Sequence, residues 1–321
     1  MWDLQNKTPF EAEQAFDRDE AGREVVCIAL RGTFQARPDG LCEAVADPHP
    51  VLLAPVYHGQ ALAFDADILP FLPGAELTVH GTADPVLDAP RIASVSLGTM
   101  TKSVALHPRL RRRARKVELD PDPEPFPLDW TVCLGGMAAD GDLHPENPLG
   151  VGMLGPTHLT DGPLPRITAA TERPETARTV TGLTPLQRHW QPRLSAAGTY
   201  DAQWSDTRAP LLPMDFDRRF YHAAPANQCF PAALSGGERL TVSGFAAAGE
   251  MDIRLPQAVI DLRAEFENGQ DTASAKIYRI RVFPALGRFD VLWLASVSCN
   301  GRDHLLRRTT VNLRQIAGIV R

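Results

Sequence analysis

The sequence predicts a mainly β protein: two sandwich-like or barrel-like halves of short antiparallel strands, joined by a long Pro- and Gly-rich irregular segment with short helices. Three observations predict it. The 28 prolines and 24 glycines cut the 321-residue chain into pieces too short for a helical bundle. Between the breaks lie runs of alternating apolar and β-branched residues, the pattern of half-buried strands. Residues 184–228 then place Trp190, Tyr200, Trp204, Phe216, Phe220 and Tyr221 among five prolines with no long regular element. A loop of that length is uncommon inside a compact chain, and its aromatics mark it as an ordered belt pinned to the rest of the protein.

Taken in order, Glu24–Phe34 reads as a strand bounded by Gly22 and the Pro38-Asp39-Gly40 turn, with Leu41–Ala46 pairing back as a hairpin. Ala61–Asp67, Glu76–Ala83, Ile92–Leu97 and Lys102–His107 continue the pattern, so 1–119 is expected as an N-terminal β lobe. The basic run Arg109–Lys116 is followed at once by Asp120–Glu124. No aromatics interleave its arginines, so a solvated strand end with counter-charges fits better than a nucleic-acid patch. Residues 120–232 form the bridging segment. Its Glu146-Asn147-Pro148-Leu149-Gly150-Val151-Gly152 motif lacks the lysine and the strand–helix context of a phosphate loop. Strands resume at Arg239–Ala246, Met251–Leu255, Ala258–Glu267, Ser274–Val282 and Arg288–Cys299, giving a C-terminal lobe over 233–321, with one integrated domain as the alternative. Leu305–Val320 holds one more strand or a terminal helix. The stretch Gly74-x-x-Leu77-Thr78-Val79-x-Gly81-x-Ala83 repeats as Gly237-x-x-Leu240-Thr241-Val242-x-Gly244-x-Ala246. Two related lobes would place the two copies in equivalent strands.

Composition narrows the function. A net charge of −6 gives no electrostatic case for nucleic acid or an anionic membrane as partner. No apolar run approaches a membrane span, and Met1-Trp2-Asp3-Leu4 has neither the basic nor the apolar region of a signal peptide. Five scattered cysteines, Cys27, Cys42, Cys133, Cys229 and Cys299, suit reduced thiols and a cytoplasmic location, with no disulfide expected. The nine histidines form no metal-ligand spacing, there is no CxxC or HExxH, and no nucleophile elbow is present, so no metal, cofactor or catalytic residue is assigned.

Within the belt, Thr184-Pro185 opens a short helix over Pro185–Trp190, and Thr199 caps a second over Tyr200–Arg208 with Tyr200 and Trp204 on one face. Asp201, Asp206, Asp215 and Asp217 cluster near these aromatics. They could serve a hydrolase acting on carbohydrate or peptidoglycan, but ordinary capping of turns and helix starts accounts for them better.

The same segment carries a family resemblance. Gly198-Thr199-Tyr200-Asp201-x-x-Trp204, Arg208-Ala209-Pro210-Leu211-Leu212-Pro213-x-Asp215-Phe216-Asp217-x-Arg219-Phe220 and Ala223-Ala224-Pro225-x-x-Gln228 resemble the bacterial domain family DUF2169. Thr8-Pro9-Phe10, Asp19-x-x-Gly22, Thr33-Phe34, Leu53-Ala54-Pro55-x-Tyr57, Leu72-Pro73-Gly74, Gly135-Gly136 and the Glu146–Gly152 motif agree in order. Members are associated with type VI secretion. The resemblance therefore implies a non-enzymatic adaptor or chaperone that binds a secreted effector and helps load it onto the spike protein. On that reading the candidate partner-binding residues are Arg188, His189, Trp190, Arg193, Tyr200, Asp201 and Trp204. Trp190, Tyr200 and Trp204 either floor a groove between the halves or belong to the core; an unpaired strand edge is the other docking route. No motif specifies an oligomeric state.

Overall fold

The structure, a computed structural model, describes residues 3–113, 116–138, 140–153 and 161–320. Strands hold 45% of the residues and helical turns 9%, so the chain is mainly β, and among the described residues no sheet closes into a barrel. The described residues form one α-helix, Ala202–Thr207, and several 3₁₀ turns.

Three sheets dominate. The central one has seven strands. Ile319–Val320, Cys42–Ala44, Glu24–Ala36, Arg288–Ser298, Lys276–Phe283 and Glu76–Val79 lie in that order, and Glu11–Arg18 also pairs with Glu24–Ala36. A five-stranded sheet runs Ile167–Ala169, Met100–Leu106, Arg91–Leu97, Arg239–Ser243, Met251–Arg254. A four-stranded sheet runs Asp3–Lys7, Leu306–Ala317, Gln257–Phe266, Gly269–Ser274. Each combines strands from 1–119 with strands from 233–321. One core joins them: Val26, Ile28 and Leu30 from the first, Val95 and Leu240 from the second, and Leu262 and Val311 from the third belong to a single buried cluster. Burying about 25 cal/mol per Å² of apolar surface, this core is the main favourable term in folding.

The strands keep the expected alternation where both faces are covered. Val291, Trp293 and Val297 face the main core, while Leu292 and Leu294 face a second, smaller cluster with Ala29, Val51, Leu69 and Leu72. Lys276–Phe283 departs from it. A bulge between Ile277 and Arg279 shifts the pairing by one residue, so Ile277 joins Ile280 and Val282 in the core instead of opposing them. The tail takes the strand form, Leu306–Ala317 followed by Ile319–Val320.

The expected equivalence of the Gly74 and Gly237 segments is corrected. Glu76–Val79 ends the central sheet, parallel to Lys276–Phe283, whereas Arg239–Ser243 lies inside the five-stranded sheet between two antiparallel neighbours. Different sheets, partners and directions leave the shared letters as two unrelated Gly-bounded strands. Gly74 has a local reason of its own: a Cβ there would sit 1.9 Å from the Phe230 carbonyl oxygen, because residues 229–232 cross directly over it.

Candidate functional site

The belt is bound to the outer face of the central sheet by a buried ionic cluster, and that cluster follows from strand register. On Glu24–Ala36, Arg31 and Thr33 point away from the main core, on the side opposite Leu30 and Phe34. Register sets Asp290 beside Thr33 and beside Arg281, and sets Leu292 between Arg31 and Arg279, with Glu76 next to Arg279. Two rows of polar groups thus cross four strands on one face. The loop after Ala61–Phe64 lays Asp65 and Asp67 over these rows.

The pairs are close. Arg31 meets Asp290 at 2.5 Å and Asp67 at 3.5 Å, Arg281 meets Asp67 at 2.6 Å, and Arg279 meets Glu76 at 2.5 Å. Thr33 donates to Asp290 at 2.7 Å, and His49 lies 3.0 Å from the same carboxylate. All four carboxylates are buried. Burial would raise the Glu76 carboxyl, but Arg279, His222 and the Ala224 N–H hold it far below the usual carboxylate range. Asp65 and Asp290 likewise stay low against burial, Asp65 through Arg193, Arg279 and Arg188, and Asp290 through His49 and Arg31. Glu76, Asp65 and Asp290 remain ionised at neutral pH, as a paired buried charge must.

The belt enters this cluster through Arg193. Its side chain is enclosed, donating from Nη2 to Asp65 at 2.5 Å, from Nη1 to the Leu186 carbonyl at 2.7 Å and from Nε to the Phe220 carbonyl at 2.7 Å. The Ala223 and Ala224 N–H groups donate to Glu76 at 2.7 and 3.0 Å, and Gln228 donates to the Leu77 and Leu183 carbonyls. The Ala-Ala-Pro-x-x-Gln motif is therefore a fastening. Asn147 of the Glu146–Gly152 motif acts similarly, donating at 2.9 Å to the Trp130 and Leu134 carbonyls while Gly150 leaves room for its amide.

The seven candidate partner-binding residues divide. Trp190 is buried edge-on against Trp130, with ring centroids 6.1 Å apart, and Arg193 is the enclosed clamp. Tyr200 is 54% exposed and Trp204 half-buried; their rings meet at 4.7 Å, and the Trp204 indole donates to the Leu211 carbonyl. Trp190 thus belongs to the core while Tyr200 and Trp204 lie at the surface, so the three do not floor one groove. Arg188 and His189 are exposed. Asp201 is the N-cap of Ala202–Thr207, accepting from the Trp204 N–H at 2.8 Å, a role expected of Thr199. Thr199 instead donates to Asp215.

The helix expected over Pro185–Trp190 is absent. The carbonyls of Thr184 and Pro185 that would start it accept from the Trp130 indole, and the Leu186 N–H donates to Ala223. The first regular turn after this stretch is the 3₁₀ turn Leu194–Ala196.

The belt carboxylates serve the backbone. Asp217 caps Arg218–Tyr221 and pairs with Arg219, and hydrogen bonds from Thr199 and Arg219 hold Asp215 and Asp217 below the usual carboxylate range. That is opposite to the shift a glycosidase acid requires. In the basic run, Arg109 pairs with Asp120 and Asp122 and Arg113 lies 3.8 Å from Glu118, a solvated hairpin end; Ala114 and Arg115 lie outside the described residues, as does His158. All five cysteines are free.

A partly open cavity of about 730 Å³ lies between belt segments, lined by Pro73, Leu186, Pro192, Ala226, Phe230 and Pro231 among others, with His222 and Cys229 in its wall. Glu76, His222 and Cys229 bring three ligand-type atoms within 4.8 Å of one another. The carboxylate is already held by Arg279 and two amides, and the Cys229 thiol, pushed up by burial, lies at hydrogen-bond range of the Ala224 and Pro225 carbonyls. Their arrangement is that of a buried clamp.

Sequence reasoning missed the ionic cluster. Its signal was present as charges inside otherwise apolar strands: Arg31, Arg279, Arg281 and Asp290.

Comparison with known families bears out the resemblance to DUF2169. A family model described as an uncharacterized protein conserved in bacteria, DUF2169, matches residues 21–294. The chain belongs to the DUF2169 family. No curated protein and no solved structure matches it. The match takes in the central sheet from Glu24 to Leu294, the ionic cluster and the whole belt, and it leaves out Asp3–Lys7, Glu11–Arg18 and the Leu306–Ala317 strand. Among the described residues no helix is long and apolar enough to cross a membrane.

Proposed function

We propose that this DUF2169 protein is a non-enzymatic cytoplasmic adaptor that binds a type VI secretion effector and helps load it onto the spike protein. One observation carries the reading: the belt is rigidly clamped from beneath yet presents apolar side chains outward. Leu194 is 46%, Tyr200 54% and Met214 82% exposed, and the cavity beside Leu194 is lined mostly by apolar groups with Arg193, Asp217, Arg219 and His222 among them. Ordering costs are already met in a braced segment, so its apolar surface is available for association at little further entropic cost. The belt's charged side chains support the same reading, since Asp201, Asp215, Asp217 and Arg193 are committed to caps and clamps.

The test is co-purification with the products of the genes beside its own, comparing wild type with Ala226→Trp. Ala226 is exposed and lines the cavity, so a tryptophan there fills the cavity without disturbing the core. A secreted toxin or spike protein retained by wild type and lost by the folded variant is expected. Retention by a folded Ala226→Trp variant would move the partner off the cavity, toward an open edge such as Gly269–Ser274.

A further inference from the structure

We propose that Arg188, with His189 beside it, anchors an acidic segment of the partner protein. The inference rests on the adaptor reading and adds the partner's chemistry to it. Charge balance in the buried cluster carries it. Five guanidinium groups, Arg31, Arg188, Arg193, Arg279 and Arg281, meet four carboxylates, Asp65, Asp67, Glu76 and Asp290. The four enclosed arginines each have their own carboxylate: Arg31 with Asp290, Arg193 with Asp65 and Arg279 with Glu76 at 2.5 Å, Arg281 with Asp67 at 2.6 Å. One-to-one pairing uses every carboxylate and leaves Arg188 as the surplus cation.

Arg188 is also the member that reaches solvent, with its side chain 43% exposed. Its contact with the cluster runs from Nη2 to Asp65 Oδ1 at 3.3 Å, an oxygen that already accepts the Ala66 N–H at 2.9 Å. The other N–H groups of Arg188 reach no acceptor among the described residues. A guanidinium tethered at one corner has its direction set and keeps a fork of donors free, which suits a carboxylate from another chain. Exposed His189 adds a donor at the next position, and Gln187 fixes the corner by donating to the Gln60 carbonyl at 2.7 Å. The chain as a whole carries −6, so it offers an acidic segment no general attraction and the local cation has to supply it.

The experiment uses the full chain and a fluorescein-labelled octapeptide of alternating Glu and Leu, followed by anisotropy at about 50 and about 300 mM salt. Arg188→Gln should weaken binding by about tenfold and flatten its salt dependence. Arg239→Gln, which removes a more exposed arginine already bonded to Asp252, should leave it unchanged. Arg188→Glu should exchange the preference for a Lys–Leu octapeptide. Equal loss in Arg188→Gln and Arg239→Gln, or binding by Arg188→Gln as tight as wild type, would overturn the proposal, as would preference for an oligothymidylate over the acidic peptide. Thermal melting of each variant is recorded alongside; if Arg188→Gln melts early, the charge exchange in Arg188→Glu decides. The adaptor reading fails separately: a wild type that binds the acidic peptide but captures neither neighbouring gene product keeps the anchor and loses the adaptor.

Discussion

Arg193→Met removes the clamp that ties the belt to the ionic cluster, and its cost follows from the three bonds it makes. The methionine keeps most of the apolar stem and removes the guanidinium. Asp65 loses its 2.5 Å partner and retains Arg188 at 3.3 Å, while the Leu186 and Phe220 carbonyls lose their 2.7 Å donor. Breaking a buried pair costs about 3–5 kcal/mol because one charge is left behind. Each carbonyl stripped of its partner adds up to about 1–3 kcal/mol, less where water enters. Because Asp65 keeps Arg188 and the Ala66 N–H, a total near 4 kcal/mol is expected. Unfolding entropy of about 2.1 cal/mol/K per residue gives about 0.7 kcal/mol/K for a chain of this length, so the melting temperature should fall by about 6 °C. The assay is calorimetry with urea unfolding on wild type, Arg193→Met and Arg188→Met. The exposed Arg188 pair should be worth under about 1 kcal/mol. An Arg193→Met variant within about 1 kcal/mol of wild type, or an Arg188→Met variant equally damaged, would refute the clamp.

Acid stability should fall in two stages. Burial, with Arg281 and Arg31 nearby, holds His80 well below the usual imidazole range, whereas the unfolded imidazole takes a proton near about pH 6.5. The folded state binds fewer protons, so this contribution is complete above about pH 6.5 and declines below it; His80→Phe should flatten the stability slope from about pH 6.5 to 5. Below about pH 4 the lowered Glu76, Asp65 and Asp290 carboxyls take protons in the unfolded chain first, and stability should drop steeply in urea titrations. Gly74→Ala should destabilise by about 2–3 kcal/mol, read from the urea midpoint, because its Cβ meets the Phe230 carbonyl. Ellman's reagent should label native protein slowly, since burial pushes the Cys27 and Cys42 thiols up to about 12 and raises Cys133, Cys229 and Cys299; rapid labelling of all five would contradict the packing.

By itself the sequence determined the local structure. Alternation and turn residues located Glu24–Ala36, Arg91–Leu97, Gln257–Phe266 and Arg288–Ser298 within a residue or two, because side chains two apart share a face whatever the strand's partner. The short-range cap at Asp217 was equally legible, since a carboxylate and the N–H it accepts lie within three residues, whereas the spacing put the helix cap at Thr199, two residues before Asp201, which makes it. Tertiary structure decided everything that depends on who lies alongside. It chose which sheet received each of the two Gly-bounded strands, and it used the Trp130 indole to take the carbonyls that Pro185–Trp190 needed to form a helix. Only register across three strands brought Arg31, Arg279, Arg281 and Asp290 onto one face, and only the loop after Phe64 supplied Asp65 and Asp67 to neutralise the arginines. Side chains separated by 259 positions, as Arg31 and Asp290 are, leave no spacing to read, so both the clamp beneath the belt and the surplus charge at Arg188 emerge only when the sheet is assembled.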